Sequence, residues 1–228
     1  MTQSMETTVT VMPSPPKPRL KPVRSFLLVA AFSGALLSGA GSAEETLTLN
    51  VPEPPEQVVE RLEQTLIDNM RLAPELDYAA RYQRLRPLIG DIMAVERMAR
   101  FVFGRDWRQF DPDLRQAFSE AFLDLSAATF ANQFDNYNGE FFSAVAVQRQ
   151  AEDRALVRRM LTSGKGRKIA FDYLMTPDDG QWRIVTIITD GVSDLALKRS
   201  QYRRILERED FAAVVEHVRE QTARQAAN

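Results

Sequence analysis

The sequence predicts an α+β protein in which a helical layer packs on a four-stranded antiparallel sheet. Two observations support this fold class. Apolar residues recur at helical spacing from 56 to 134, and the period changes to two after Gly139. The strand-like runs that follow are joined by links of hairpin length, which are too short for the crossovers that parallel strands require. The sheet is therefore expected to be an antiparallel meander that follows a helical half.

The four strand-like runs cover residues 141–150, 154–162, 168–175 and 181–189. A Pro/Asp/Gly sequence at 177–180 predicts a tight turn between the last two runs. Within the last run, a regular strand would place Ile184 on one face and Ile187 on the other.

Helical patterns are expected before and after the sheet. They cover residues 56–71, 75 to a break at Pro87, 92–102, 112–134, 194–207 and 211–223, and residues 224–228 are expected to fray. Asp91 is expected to cap the third helix, and Asp111 with Pro112 to begin the fourth. The last two helices are expected to close the fold.

The fourth helix is apolar on two sides. One side carries Phe118 and Phe122, and the nearly opposite side carries Phe130 and Phe134. Such a helix either lies between two core layers or packs one side on the sheet and borders an apolar cavity with the other. The sequence leaves both arrangements open.

The first 43 residues have the layout of a secretory signal peptide. Four basic side chains precede an apolar run at 26–37, and small residues lead to a cleavage site after Ala43. A membrane-anchoring helix is the alternative, although three glycines make the apolar run short for a bilayer. Residues 44–55, with three prolines, are expected to form an extended lead-in, and residues 56–228 a single domain.

Charge and composition exclude several classes of function. The chain has a formal charge of −2, and the leader holds four of its basic residues but one acid, so the remainder is more acidic. A surface of this kind is a poor partner for nucleic acid. The chain has no cysteine, and its single histidine, His217, is expected on an exposed helix face and not in a metal site. We therefore expect no metal and no cofactor.

Several short segments match a known family in its order along the chain. They are Met98 to Gly104 with Trp107, Phe118, Ala121-Phe122, Tyr137, Asp172-Tyr173, Gln181 to Ile184, Asp190 to Ser193, and Arg199 to Tyr202. On these segments the chain resembles the MlaC family of periplasmic phospholipid-binding proteins, also described as toluene-tolerance or auxiliary transport proteins. The resemblance implies a periplasmic carrier without catalytic activity. Its cavity would hold acyl chains while it shuttles lipid between an inner-membrane ABC-type complex and an outer-membrane complex that maintain outer-membrane lipid asymmetry.

One segment departs from the general pattern of the family. Asp194 to Lys198 precedes Arg199-Ser200-Gln201, where the general pattern has a tyrosine before Arg-Ser-Gln. This version resembles the HpnM branch, which is associated with hopanoid biosynthesis. The cargo is therefore left open between a phospholipid, a hopanoid and another polycyclic lipid.

Apolar character and the expected orientation of the side chains predict ten cavity-lining residues. They are Met98, Val102, Phe122, Phe130, Phe134, Phe171, Tyr173, Ile184, Ile187 and Val192. Burial is worth about 0.8 kcal/mol per methylene group, so one 16-carbon tail gains on the order of 10 kcal/mol. At that scale, binding requires no polar headgroup motif.

Two other functions remain open from the sequence. A small α+β cavity enzyme acting on a steroid-like or other apolar substrate would need a carboxylate with a raised pKa inside the cavity, and Asp172 is the best candidate. An interaction module would have no internal cavity, because its apolar excess would all be core.

Overall fold

The computed structural model describes residues 52–151 and 153–227, so the predicted signal peptide 1–43 and residues 44–51 of the predicted lead-in lie outside them. The elements in chain order are α1 (Pro55–Leu72), α2 (Tyr78–Ile92), α3 (Val95–Phe103), a 3₁₀-helix (Gly104–Gln109), α4 (Pro112–Gln133), β1 (Phe141–Ala151), β2 (Arg154–Thr162), β3 (Lys168–Asp178), β4 (Gln181–Thr189), β5 (Val192–Ser193), α5 (Asp194–Leu206) and α6 (Phe211–Ala226). The predicted α+β class is confirmed.

The sheet is an antiparallel meander with strand order β1-β2-β3-β4-β5. The four predicted strands are present, and the two-residue strand β5 is added beside β4. The turn between β3 and β4 is tighter than predicted, because β3 extends to Asp178. Asp179 and Gly180 both have positive φ angles, of 49° and 76°. Positive φ at both central residues is typical of the two-residue turn whose twist matches a hairpin.

A β-bulge in β4 changes which side chains face the helices. Met175 pairs with Ile184 and Tyr173 pairs with Ile187, so the register shifts by one residue between these two pairs. Because directly paired residues share a face of the sheet, Ile184 and Ile187 both point inward. The prediction that these two isoleucines lie on opposite faces is wrong, since it assumed a regular strand.

The predicted break at Pro87 and the predicted cap at Asp91 are also wrong. Both residues lie inside α2, which continues to Ile92. A proline inside a helix removes one backbone hydrogen bond, and here α2 is fixed to α4 by ion pairs from Arg86 to Glu120 and Asp124. At the C-terminus, α6 continues to Ala226, past the residue where fraying was expected.

An aromatic cluster fills the region where α3, α4, α5 and α6 meet. Its members are Phe103, Trp107, Phe110, Phe118, Tyr202 and Phe211. Trp107 is fully buried, and its indole N–H donates to Glu96 Oε1 at 2.9 Å. The tryptophan therefore has a structural role in this solid part of the core.

Among residues 52–151 and 153–227, no helix has both the length and the apolarity to cross a bilayer. The same residues contain no group of three or more His, Cys, Asp or Glu side chains placed to hold a metal ion.

Candidate functional site: an apolar cavity

A cavity of about 550 Å³ lies between the helical layer and the inner face of the sheet. Its wall takes residues from α1, α3, α4 and α5 on the helical side and from β2, β3 and β4 on the sheet side. This volume falls in the range of about 300–1,000 Å³ that is usual for small-molecule sites. The helices therefore do not close completely onto the sheet.

The buried part of the wall is apolar. It consists of Met70, Met93, Met98, Phe122, Phe134, Leu161, Phe171 and Leu195. Methionine side chains are unbranched and adapt their shape to irregular partners. A wall of this kind suits a flexible hydrocarbon chain without fixing one conformation of it.

Helix α4 contributes one continuous stripe to the wall. Phe122, Ser126, Thr129, Phe130 and Gln133 follow one another at spacings that place them on one helix face. The stripe combines residues from both predicted apolar sides of this helix. Helix α4 therefore borders a cavity, as one of the two predicted arrangements required, but its main packing partners are α2 and α6 and not the sheet.

The hydroxyl groups in this stripe already have partners in the helix. Ser126 Oγ donates to the carbonyl oxygen of Phe122 at 2.8 Å, and Thr129 Oγ1 donates to that of Leu125 at 2.7 Å. With their hydrogen bonds made locally, these side chains add little polarity to the wall. Sequence reasoning missed them because it selected only apolar residues.

The rim of the cavity is polar and more exposed. Gln133, Asn136 and Asp194 are exposed, and Glu140 and Lys198 are half-buried. The Lys198 side chain is 15% exposed, and its Nζ lies 3.4 Å from Asp194 Oδ2. The cavity thus combines an apolar interior with a charged opening.

Six of the ten predicted cavity residues line this cavity. They are Met98, Phe122, Phe130, Phe134, Phe171 and Ile187. The structure does not place the other four on the wall. Val102 and Ile184 are buried in the surrounding core, where Ile184 forms a bridge with Met93, and Val192 is 54% exposed on the surface. Whether the six residues contact a lipid stays a prediction.

Tyr173 is the fourth predicted cavity residue that does not line the wall. It belongs to a charged network beneath α1. Arg159 points inward from β2, and its Nε donates to Glu63 Oε2 at 2.8 Å while its terminal nitrogen donates to Glu60 Oε1 at 3.2 Å. Burial raises the pKa of Glu63 to about 7, although the hydrogen bond from Arg159 acts in the opposite direction. Burial and the neighbouring Glu63 likewise raise the pKa of Tyr173.

Asp172 lies on the other face of the sheet. Its neighbours Phe171 and Tyr173 are buried on the inner face, and alternation along β3 turns Asp172 outward. There it pairs across the strands with Arg158, whose Nε lies 3.7 Å from Asp172 Oδ2. Asp172, the carboxylate predicted for an acid/base enzyme, is therefore not on the cavity wall.

Comparison with known proteins gives two positive findings. The family model described as MlaC protein matches residues 57–220, which is well over half of the chain. A solved structure from Ralstonia solanacearum, a phospholipid-binding protein in complex with a phospholipid, is similar with a TM-score of 0.64. It is 20% identical, and the match covers 75% of this chain and 96% of that one, so it establishes the likeness of fold. No curated protein matches the chain by sequence.

The helical layer over an antiparallel meander, the cavity between them and the length of the family match agree with one another. This chain belongs to the MlaC family.

Proposed function

We propose that this protein is a periplasmic lipid carrier. In this proposal its cavity holds the acyl chains of a phospholipid, or a polycyclic lipid such as a hopanoid, while the protein crosses the aqueous space between two membranes. The observation that carries the proposal is the cavity of about 550 Å³ with a buried apolar wall and a polar rim.

The energetics of burial support a carrier. Moving one 16-carbon tail from water into such a cavity gains on the order of 10 kcal/mol, so the wall alone provides enough affinity. The same figure means that a loaded carrier releases lipid slowly in water. Release then requires a partner that opens the cavity or competes for the tail.

Membership of the MlaC family supports lipid transport and a periplasmic location. The Ralstonia protein, which binds a phospholipid, supports phospholipid as the cargo class. We propose as partners an inner-membrane ABC-type complex and an outer-membrane lipid complex. Hopanoid remains the second cargo in this proposal, because the sequence at Asp194 to Lys198 resembles the HpnM branch.

The enzyme alternative has less support. Its candidate acid, Asp172, pairs with Arg158 on the outer face of the sheet and does not line the cavity. We therefore propose binding and transfer of lipid without chemical change.

Native mass spectrometry of protein purified without its leader tests this proposal. We expect a mass above that of the polypeptide, and extraction of the bound material should identify a phospholipid or a hopanoid. A second assay incubates the loaded protein with lipid-free acceptor vesicles and follows the appearance of intact lipid. Protein that carries no lipid and takes none from donor vesicles would contradict the proposal.

A further inference from the structure

Lys198 is the cationic side chain on the wall of the cavity. Of the described lysine and arginine residues, it alone contributes to this wall. It lies in the second turn of α5, and its side chain is 15% exposed. Lysine usually keeps its ammonium group in water, so a mostly buried lysine beside an apolar cavity needs an explanation.

The charges around Lys198 leave its ammonium group available. Asp194, one turn earlier, lies at 3.4 Å, longer than the roughly 2.7–2.9 Å of a strong charge-assisted hydrogen bond. The Asp194 side chain is 72% exposed and so remains largely solvated. Glu140, the other carboxylate on the wall, accepts a hydrogen bond from the backbone N–H of Asn138.

Filling the cavity with a lipid changes the surroundings of this ammonium group. The lipid displaces water from the wall, and a desolvated cation is costly unless an anion replaces that water. A phosphate group carries the charge and the acceptor oxygens that three ammonium N–H donors require. A neutral lipid would cover the cation and offer it only uncharged oxygen acceptors.

We propose that Lys198 holds the phosphate of the cargo lipid at the cavity rim and thereby selects phosphate-bearing lipids over neutral ones. This inference rests on the proposed lipid-carrier function and names the residue that determines its specificity. The apolar wall provides affinity for the tails of either class of lipid. Lys198 adds a preference for lipids whose headgroup carries a phosphate.

A competition between two lipids with the same tails tests the inference. Lipid-free protein is incubated with vesicles that contain equimolar dioleoylphosphatidylglycerol and dioleoylglycerol, and the bound lipids are extracted and counted. The lipid extracted from wild-type protein should contain more phospholipid than diacylglycerol. Lys198→Met keeps the length of the side chain and removes its charge, so the ratio of phospholipid to diacylglycerol should fall about tenfold, as for one charged hydrogen bond.

Two variants serve as controls. Lys198→Arg keeps a cation at the rim and should keep the preference of the wild type. Lys168→Met makes the same chemical change at an exposed residue that does not line the cavity, and it should also leave the ratio unchanged. A loss of preference in Lys168→Met equal to that in Lys198→Met would indicate a general effect of net charge and would overturn the inference.

The outcomes separate this inference from the proposed function. If wild type and Lys198→Met bind both lipids in the same ratio, the carrier function stands and the phosphate anchor is refuted. If wild-type protein binds neither lipid, both proposals fail. Inorganic phosphate is added alone in a further arm. Strong binding of it to lipid-free protein, lost in Lys198→Met, would assign the residue to a free anion and contradict a lipid anchor.

Discussion

At the scale of single residues, Ile187 and Ile188 are neighbours in sequence that face different environments. Ile187 lines the cavity and pairs with buried Tyr173, whereas Ile188 pairs with Asp172 on the outer face. The sequence placed both in a strand but did not reveal the bulge, because a bulge depends on how the partner strand pairs. The two residues therefore form a matched pair for testing the cavity.

We expect Ile187→Glu to lower the amount of lipid that co-purifies with the protein by at least tenfold, as a carboxylate facing hydrocarbon must be desolvated or protonated. Ile188→Glu should retain wild-type lipid, since the same side chain there meets the outer face. Extracted lipid per mole of protein is the measurement, with circular dichroism to confirm that both variants fold. Equal lipid content in two folded variants would remove Ile187 from the binding site.

The raised pKa of Glu63 predicts that the free energy of unfolding depends on pH. Its pKa rises from the ordinary value of 4.5 to about 7 in the folded protein, mainly through burial. Between these values the folded state binds more protons than the unfolded state, so this group's stabilising contribution is complete below about pH 4.5 and lost as the pH rises through 7. The shift corresponds to about 3 kcal/mol in the free energy of unfolding.

Glu63→Gln isolates this contribution, because the amide does not titrate and no other ionisable group is removed. Urea denaturation of both proteins at several pH values from 4.5 to 8 is the measurement. We expect the wild-type free energy of unfolding to fall by about 3 kcal/mol more than that of the variant across this range. Parallel pH profiles for the two proteins would contradict the raised pKa.

At the scale of elements, two loops meet at the rim of the cavity. Gly164, in the link from β2 to β3, lies so close to the loop after α4 that a Cβ built on it would be 1.6 Å from the carbonyl oxygen of Asn138. Ser163, next to Gly164, and Asn136, two residues before Asn138, both line the cavity. Contact between these two backbones therefore fixes part of the opening.

Gly164→Ala should force the two loops apart and lower the free energy of unfolding by about 1–3 kcal/mol, the usual cost of overpacking. Lys165→Ala changes the next residue of the same turn, which is exposed, and should alter it by less than about 0.5 kcal/mol. Chemical denaturation of the three proteins measures both effects. A Gly164→Ala variant as stable as Lys165→Ala would show that the loops separate without cost.

The elements also show how far sequence patterns reach. The four long strands and the closing helices were predicted because hydrophobic period and turn residues are local properties. The continuation of α2 through Pro87 was missed because it depends on tertiary packing. Leu85, Ile89 and Ile92 are buried on either side of the proline, and Arg86 pairs with residues of α4. Six of the ten predicted cavity residues line the wall. Ser126 and Thr129 were missed because they are polar residues whose hydroxyl groups donate to carbonyl oxygens of α4, and these hydrogen bonds are visible only in the structure.

At the scale of the whole molecule, the core has a solid part and a hollow part. The rings of the aromatic cluster around Trp107 pack against one another, whereas the cavity beside α4 leaves apolar side chains without contacts on one side. Atoms that face an empty cavity lose dispersion contacts that a lipid tail would restore. Lipid binding is therefore expected to stabilise the folded protein.

Delipidated protein should unfold at a lower temperature than protein saturated with phospholipid. Ligand at a hundred times its dissociation constant adds about 2.7 kcal/mol, and each kcal/mol raises Tm by about 2–4 °C for a chain of this size. Differential scanning calorimetry with and without added lipid measures the shift, and Ile187→Glu provides a control in which it should be small. Identical transitions for the two wild-type samples would contradict occupancy of the cavity.

The hydroxyl groups of Ser126 and Thr129 also affect how a lipid tail lies along the wall. Since both already donate within α4, a hydrocarbon chain that slides past them neither forms nor breaks a hydrogen bond. The two hydroxyl groups therefore do not fix how far a tail reaches along this stripe of α4. With the phosphate held at the rim, chains of different lengths should bind along the same stripe, each reaching as far into the cavity as its length allows.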